Sequence, residues 1–215
     1  GETNQGIYKN KLFIDLLTEN TLNYNKTFGQ HDFSVLLGYT AEKTTTTTAG
    51  ITGTAFPTDY IHTLNAATSI TLGPDNTYTS KEQDALMSVL GRVNYAYADK
   101  YLASVSARTD GSSKFAKGNR WGWFPSVSLG WRISEEPFLK KYYWLSSLKL
   151  RASWGLTGNN DIANYSFMNK LSSANYSFGS GTGKVSSGLA NPTSVIANRD
   201  ITWEQSSEYN YGLDL

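Results

Sequence analysis

Residues 121–134 read Trp121-Gly122-Trp123-Phe124-Pro125-Ser126-Val127-Ser128-Leu129-Gly130-Trp131-Arg132-Ile133-Ser134. Successive side chains of a strand point to opposite faces. One face therefore carries Trp123, Pro125, Val127, Leu129, Trp131 and Ile133, and the other Phe124, Ser126, Ser128, Gly130, Arg132 and Ser134. A soluble strand turns such an apolar face inward. A membrane barrel strand turns it outward and brackets it with aromatics at the two interfaces. Trp123 and Trp131 lie about 26 Å apart along an extended strand. A tilt near 40° makes that about 20 Å of height, close to the apolar band of an outer-membrane barrel. An edge strand of a soluble sandwich shows the same alternation, so this stretch alone leaves both open.

Composition narrows the choice. Charged residues are 17% of the 215, against a usual share of about a quarter, and Ser, Thr, Asn and Gly take their place. Hydrophobic residues are 39% and aromatics 13%, which excludes a disordered chain. The net charge of +1 gives no electrostatic case for a nucleic-acid partner. No apolar run is long enough for a transmembrane helix. With no Cys there is no disulfide framework or thiol chemistry. The polar start shows no signal peptide and the Tyr209–Leu215 pattern stops in mid-strand, so the expectation is a fragment.

Strand periods recur along the chain. The first strand is expected over about residues 11–26, with Leu16, Leu22 and Tyr24 outward. A second carries Phe33, Val35, Leu37 and Tyr39 outward, and a long polar segment without period follows over about 42–84. Strand three spans about 85–98, strand four runs from Tyr101 to about Asp110, and the Trp121 stretch is strand five. Glu135–Lys140 reads as one helical turn. Strand six places Leu148, Leu150, Ala152, Trp154 and Leu156 opposite Lys149, Arg151, Ser153 and Thr157. A loop over about 158–200 precedes strand seven, where Trp203, Tyr209, Tyr211 and Leu213 oppose Glu204, Ser206, Glu208 and Asp214.

Across strands three to seven the apolar face carries no charge, as lipid demands, since Arg or Lys at the bilayer midplane costs about 2–4 kcal/mol. The two long loops fall on one side and the shortest turns on the other, as in outer-membrane barrels. Aromatics recur near strand ends, and Trp123, Trp131, Trp154 and Trp203 are the expected membrane girdle. Pro125 removes a ladder donor and is expected near the extracellular rim, at a bulge or a weakly paired position. The fold class read from these patterns is all-β: an antiparallel up-and-down transmembrane β-barrel segment of about seven strands, with long extracellular loops and short periplasmic turns.

Several stretches together resemble the SusC/RagA-type TonB-dependent transporters of the Bacteroidetes outer membrane. They are Gly91-Arg92-Val93-Asn94-Tyr95, Arg108-Thr109-Asp110-Gly111-Ser112-Ser113-Lys114-Phe115, Phe124–Arg132, Leu148–Gly155, Thr157-Gly158-Asn159, and Trp203-Glu204 before Tyr209–Leu213. The resemblance implies a plugged barrel of the 22-stranded class, with residues 1–215 a partial barrel domain and the plug and remaining strands absent. It implies a cell outer membrane location in a Gram-negative, Bacteroidetes-like bacterium. It also implies energy-coupled import of oligosaccharides with a SusD-like surface lipoprotein and the TonB-ExbB-ExbD complex. Uptake of oligopeptides or siderophores by the same barrel class is an alternative, as is a soluble β-sandwich binding module.

No enzyme chemistry is expected. His31 and His62 are the only histidines and are read as solvated loop residues on opposite sides. Gly179–Lys184 resembles a phosphate loop but has Phe178 and Val185 where that motif needs Gly and Ser or Thr. No catalytic, cofactor or metal residues are assigned. Arg92, Arg108, Asp110, Arg132, Lys149, Arg151, Glu204 and Glu208 are candidates to line a solute path or grip a plug, or to pair with one another across strands. Tyr60, Tyr78, Tyr165 and Tyr176 are candidates to stack on sugar rings, or to pack within loops.

Overall fold

The computed structural model describes residues 4–61, 63–73, 75–140, 145–169, 172–177, 185–190 and 197–215. Ten strands are described: β1 (Gln5–Phe28), β2 (His31–Thr54), β3 (Ser69–Ile70), β4 (Tyr78–Tyr97), β5 (Tyr101–Ser112), β6 (Trp121–Arg132), β7 (Lys149–Asn159), β8 (Ser172–Ser177), β9 (Val185–Ala190) and β10 (Glu204–Asp214). An antiparallel sheet runs in the order β1-β2-β4-β5-β6-β7-β10, with β3 paired to β2. This is the expected up-and-down order. β8 and β9 form a separate hairpin inside what was expected to be a plain loop.

Strand bounds differ from expectation where both faces are polar. β2 and β1 each run 24 residues and β4 runs 20, so much of the expected loop over 42–84 is strand. The Thr44–Thr48 run lies inside β2. β-Branched residues favour the pleated backbone, but a stretch with polar side chains on both faces has no apolar alternation to reveal it. Likewise β5 continues past the expected end near Asp110 through Gly111 and Ser112, whose types favour turns.

The chain forms two compact units. The first is Gly1–Leu17 with Glu42–Ala85. Its strand segments bear charge on both faces, with Lys43 beside Glu42 and Lys81 beside Glu82. Here Phe56 lies where a side chain on Gly6 would be, 2.7 Å from an added Cβ, and Tyr78 covers Gly50 in the same way. The Asn4 amide accepts from Phe56 N–H at 2.9 Å and donates to Phe56 O and to Asp59 Oδ1. Thr52, 2% exposed, donates to Asn76 O.

The second unit is Thr18–Ala41 with Leu86–Leu215. It holds the charge-free apolar face. Its hairpin turns are short: Gly29 takes φ +60° between β1 and β2, and Ala98 and Asp99 take φ 51° and 58° between β4 and β5. The two turns are tied by Ala98 N–H donating to Gln30 O at 2.7 Å. The β5–β6 ladder runs through Ala107↔Pro125, whereas the β6–β7 register ends at Ser126↔Gly155. Pro125 thus sits where pairing to β7 has stopped, the weakly paired position its missing N–H requires.

Candidate functional site

The register aligns the apolar residues of the second unit into rows. Val93, Val105, Val127, Trp154 and Tyr209 stand opposite one another on successive strands, as do Tyr97, Tyr101, Trp131, Leu150 and Leu213. Val105 is 56% exposed, Val127 36%, Leu129 58% and Leu150 42%. A soluble sandwich needs these four buried against a second sheet, so that alternative fails. On β6 the odd-numbered face is the exposed one, apart from half-buried Pro125, while Gly122 and Phe124 on the even face are buried. Small Ala103 and Ala152 leave a hollow of about 1030 Å³ bounded by Leu129, Trp131, Leu150 and Leu213.

One end of this face carries a continuous aromatic belt. Tyr97, Tyr101 and Trp131 stack in sequence at 6.4 Å spacings. His31 extends it: its ring stacks on Phe28 and Tyr95, and its Nδ1 lies 2.9 Å from the Tyr95 hydroxyl. His31 is therefore the first residue of β2 and a half-buried belt member, not a solvated loop residue, because the turn is only two residues long. His62 lies outside the described residues. Trp121 and Trp123, 51% and 64% exposed, mark the other end of β6.

Two expected girdle tryptophans are placed differently. Trp154 pairs with Val127, midway between Trp123 and Trp131, so it stands at mid-strand. Its indole N–H donates to Ser207 Oγ at 3.0 Å, which satisfies a donor that lipid would leave unpaired. Trp203 is 9% exposed and packs on Phe115 and Phe124, with ring centroids 5.3 Å away in each case. It precedes β10, so strand alternation does not govern where it points.

That aromatic cluster is the buried core of the described unit, and sequence reading missed it. Phe124 stands alone among small polar residues on the even face, and that isolation was the available signal. Gly122 and Gly158 make room for its ring: a Cβ on either would lie within 2.4 Å of Phe124. Three connections converge here. Trp203 Nε1 donates to Arg120 O at 2.8 Å, Arg120 Nε to Phe115 O at 3.3 Å, and Asn160 Nδ2 to Ser112 Oγ at 3.2 Å.

Next to it on the same face lies a charged node. Arg108 Nε donates to both oxygens of Asp110, at 2.7 and 2.9 Å, and its terminal nitrogen to Ser88 Oγ at 3.1 Å. Asp110 and Ser88 are buried, at 8% and 3% exposure, while Arg108 stays open to solvent on one side. Arg151 lies over Gly212, which has no Cβ to obstruct it, and pairs with Asp214 at 3.3 Å. Arg132 pairs with Asp99 of the β4–β5 turn. Glu204 accepts from Asn159 and Glu208 from Asn210, both at 3.0 Å. Arg92 is exposed opposite Ser106. Pairing is thus partly across strands, as at Arg151–Asp214, and partly along one, as at Arg108–Asp110. Lys149 and Arg151 border a concavity of about 430 Å³ with Asp32, Ser34, Asn94 and Asn210.

The tyrosines divide. Tyr60 is 91% exposed in the first unit. Tyr78 is the first residue of β4 and is half-buried over Gly50 of β2. Tyr165 is half-buried at φ 65°. Tyr176 is a β8 residue whose side chain is outside the described set, and so is the Gly179–Lys184 segment. Among the described residues no cluster of His, Asp and Glu is arranged to hold a metal ion, and no helix is long and apolar enough to cross a membrane.

Residues 2–215 match the family described as TonB dependent receptor-like, beta-barrel. The chain belongs to this family. This TonB-dependent receptor segment is 38% identical over 204 residues to TonB-dependent receptor P39 of Formosa agariphila, covering 94% of the chain and 19% of that protein. It is 41% identical over 139 residues to TonB-dependent receptor SusC of Bacteroides thetaiotaomicron, covering 61% of the chain and 13% of SusC. Its fold matches a solved structure, that of the RagAB peptide transporter, with a TM-score of 0.78 at 28% identity, covering 97% of the chain and 22% of that one. The receptor segment thus spans about a fifth of the length of these relatives or less. It is an outer-membrane β-barrel segment, and the relatives are receptors and transporters, not enzymes. The SusC/RagA-type resemblance read from its motifs holds.

Proposed function

We propose that this segment is part of the wall of an outer-membrane transporter that imports oligosaccharides. A SusD-like lipoprotein would cap its extracellular side and the TonB-ExbB-ExbD complex would supply energy through a plug encoded outside these residues. One observation carries the reading: an exposed, charge-free apolar face in register over five strands, backed by a face where every charge resides. That inversion suits lipid outside and a polar path inside. The glycan reading and the partner lipoprotein are what the SusC/RagA-type resemblance implies, and SusC is among the relatives. Similarity to the RagAB peptide transporter favours a second reading, oligopeptide uptake by the same architecture.

The test is uptake by cells carrying or lacking the full-length parent gene, using a fluorescent mixed oligosaccharide pool and, separately, a fluorescent mixed oligopeptide pool. Gene-dependent accumulation of the sugars alone supports glycan import. Accumulation of the peptides alone replaces it with peptide import, and gene-independent uptake of both overturns both readings.

A further inference from the structure

The connection from Ile133 to Leu148 leaves β6 on the side of the shortest turns, yet it is far longer than they are. Its first part is ordered. A 3-10 turn spans Ile133–Glu135, and Leu139 and Lys140 N–H both donate to Glu136 O at 3.0 Å. The Glu136 side chain shows where this turn lies. It is 8% exposed and accepts from Tyr101 Oη at 2.7 Å, Trp131 Nε1 at 3.2 Å and Lys100 Nζ at 3.3 Å. Tyr101 and Trp131 both belong to the outward row. A carboxylate reaching both of their polar edges holds the turn against the outward side of the sheet and keeps it away from the polar face. At this belt the Trp and Tyr donors that ordinarily meet lipid headgroups are taken by protein instead. The turn nevertheless presents Phe138 at 56% exposure, beside Lys140, whose ammonium lies 3.0 Å from Glu135.

From this geometry we infer that residues 133–140 form a foot seated on the membrane interface, with Phe138 in contact with phospholipid and Glu136 fastening the foot to the aromatic belt. The occupant follows from continuity: the foot adjoins Trp131 and Tyr101 on the face already turned to lipid. An exposed aromatic flanked by charged residues is the chemistry of that zone, where an apolar body meets lipid and charged neighbours stay wet. The added length of the connection gives the barrel wall an anchor at one leaflet. The inference rests on the barrel reading.

The test uses the full-length parent protein, free of other cysteines, in vesicles of phosphatidylcholine and phosphatidylglycerol. Nitroxides are placed by Phe138→Cys, Leu129→Cys or Lys117→Cys, and collision with oxygen is compared with collision with a water-soluble nickel chelate. The expected result is a 138 label that favours oxygen, at a depth shallower than 129, while 117 favours nickel. Adding Glu136→Ala is expected to raise nickel collision at 138 several-fold with 129 unchanged. Nickel collision at 138 equal to that at 117 overturns the inference, because the foot is then in water. Low collision with both reagents also overturns it, because protein then covers Phe138. A 138 label indifferent to Glu136→Ala removes Glu136 as the fastening. A 129 label in water sinks the barrel reading itself, which separates that failure from the others.

Discussion

Phe124 shows how one side chain departs from the pattern around it. On a face of serines and glycines a benzyl ring has no place unless something covers it, and Trp203 and Phe115 do. Removing a buried tryptophan leaves a cavity and takes one of two donors from the Arg120 carbonyl, which keeps Ser112 N–H. Trp203→Ala is expected to destabilise the barrel by about 3 kcal/mol, read as a lower midpoint of heat-modifiable migration of the full-length protein in detergent gels. Glu136 is the comparable polar case. The Tyr101 hydroxyl, then the Trp131 N–H and Lys100, hold its carboxyl below the ordinary value of 4.5, against burial, which raises it. A lowered carboxylate contributes stability that is complete above the ordinary value and is lost as pH falls through the folded one. A nitroxide at position 138 is therefore expected to stay immobile from neutral pH to below 4.5 and to loosen only at more acid pH. Glu136→Gln is expected to abolish that acid step.

β6 is the element where faces and register can be read together. Val127 lies midway between Trp123 and Trp131 and is flanked by Val105 and Trp154, so it marks mid-height on the lipid side. Val127→Arg is expected to cost about 2–4 kcal/mol of barrel stability, whereas Ser128→Arg, on the polar face, costs under about 1 kcal/mol. Urea unfolding of the full-length protein in lipid vesicles measures both, and equal costs would refute the assignment of faces. Elements were legible wherever one face is apolar. They were illegible where both faces are polar: the Thr44–Thr48 portion of β2 is held by ladder hydrogen bonds, which leave no alternation in side-chain type. The β8–β9 hairpin was missed for the same reason.

For the whole molecule, sidedness is the question. The β5–β6 connection with Lys117 and the β1–β2 turn with Gln30 lie at opposite ends of the second unit's strands. In intact cells expressing the full-length parent, a membrane-impermeant maleimide is expected to label Lys117→Cys and not Gln30→Cys, and to label both after permeabilisation. The reverse pattern would invert the barrel. The candidate path-lining charges were legible as a set, since the charge-free face forces every Arg, Lys, Asp and Glu of strands three to seven onto the other side. Which of them pair was not legible, because Arg108–Asp110 and Arg151–Asp214 depend on registers that no single strand specifies.

By itself the sequence determined strand periodicity, the order of the principal strands, the two chemically opposed faces and the family, because these follow from side-chain alternation and local motifs. Only the tertiary structure decided which aromatics form the belt and which are buried. Trp154 at mid-strand with its N–H on Ser207, Trp203 folded onto Phe124, and Glu136 bound to Tyr101 and Trp131 are contacts between segments distant in the chain. Their positions depend on the register and on how each connection returns to the sheet, and neither is a property of local residue pattern.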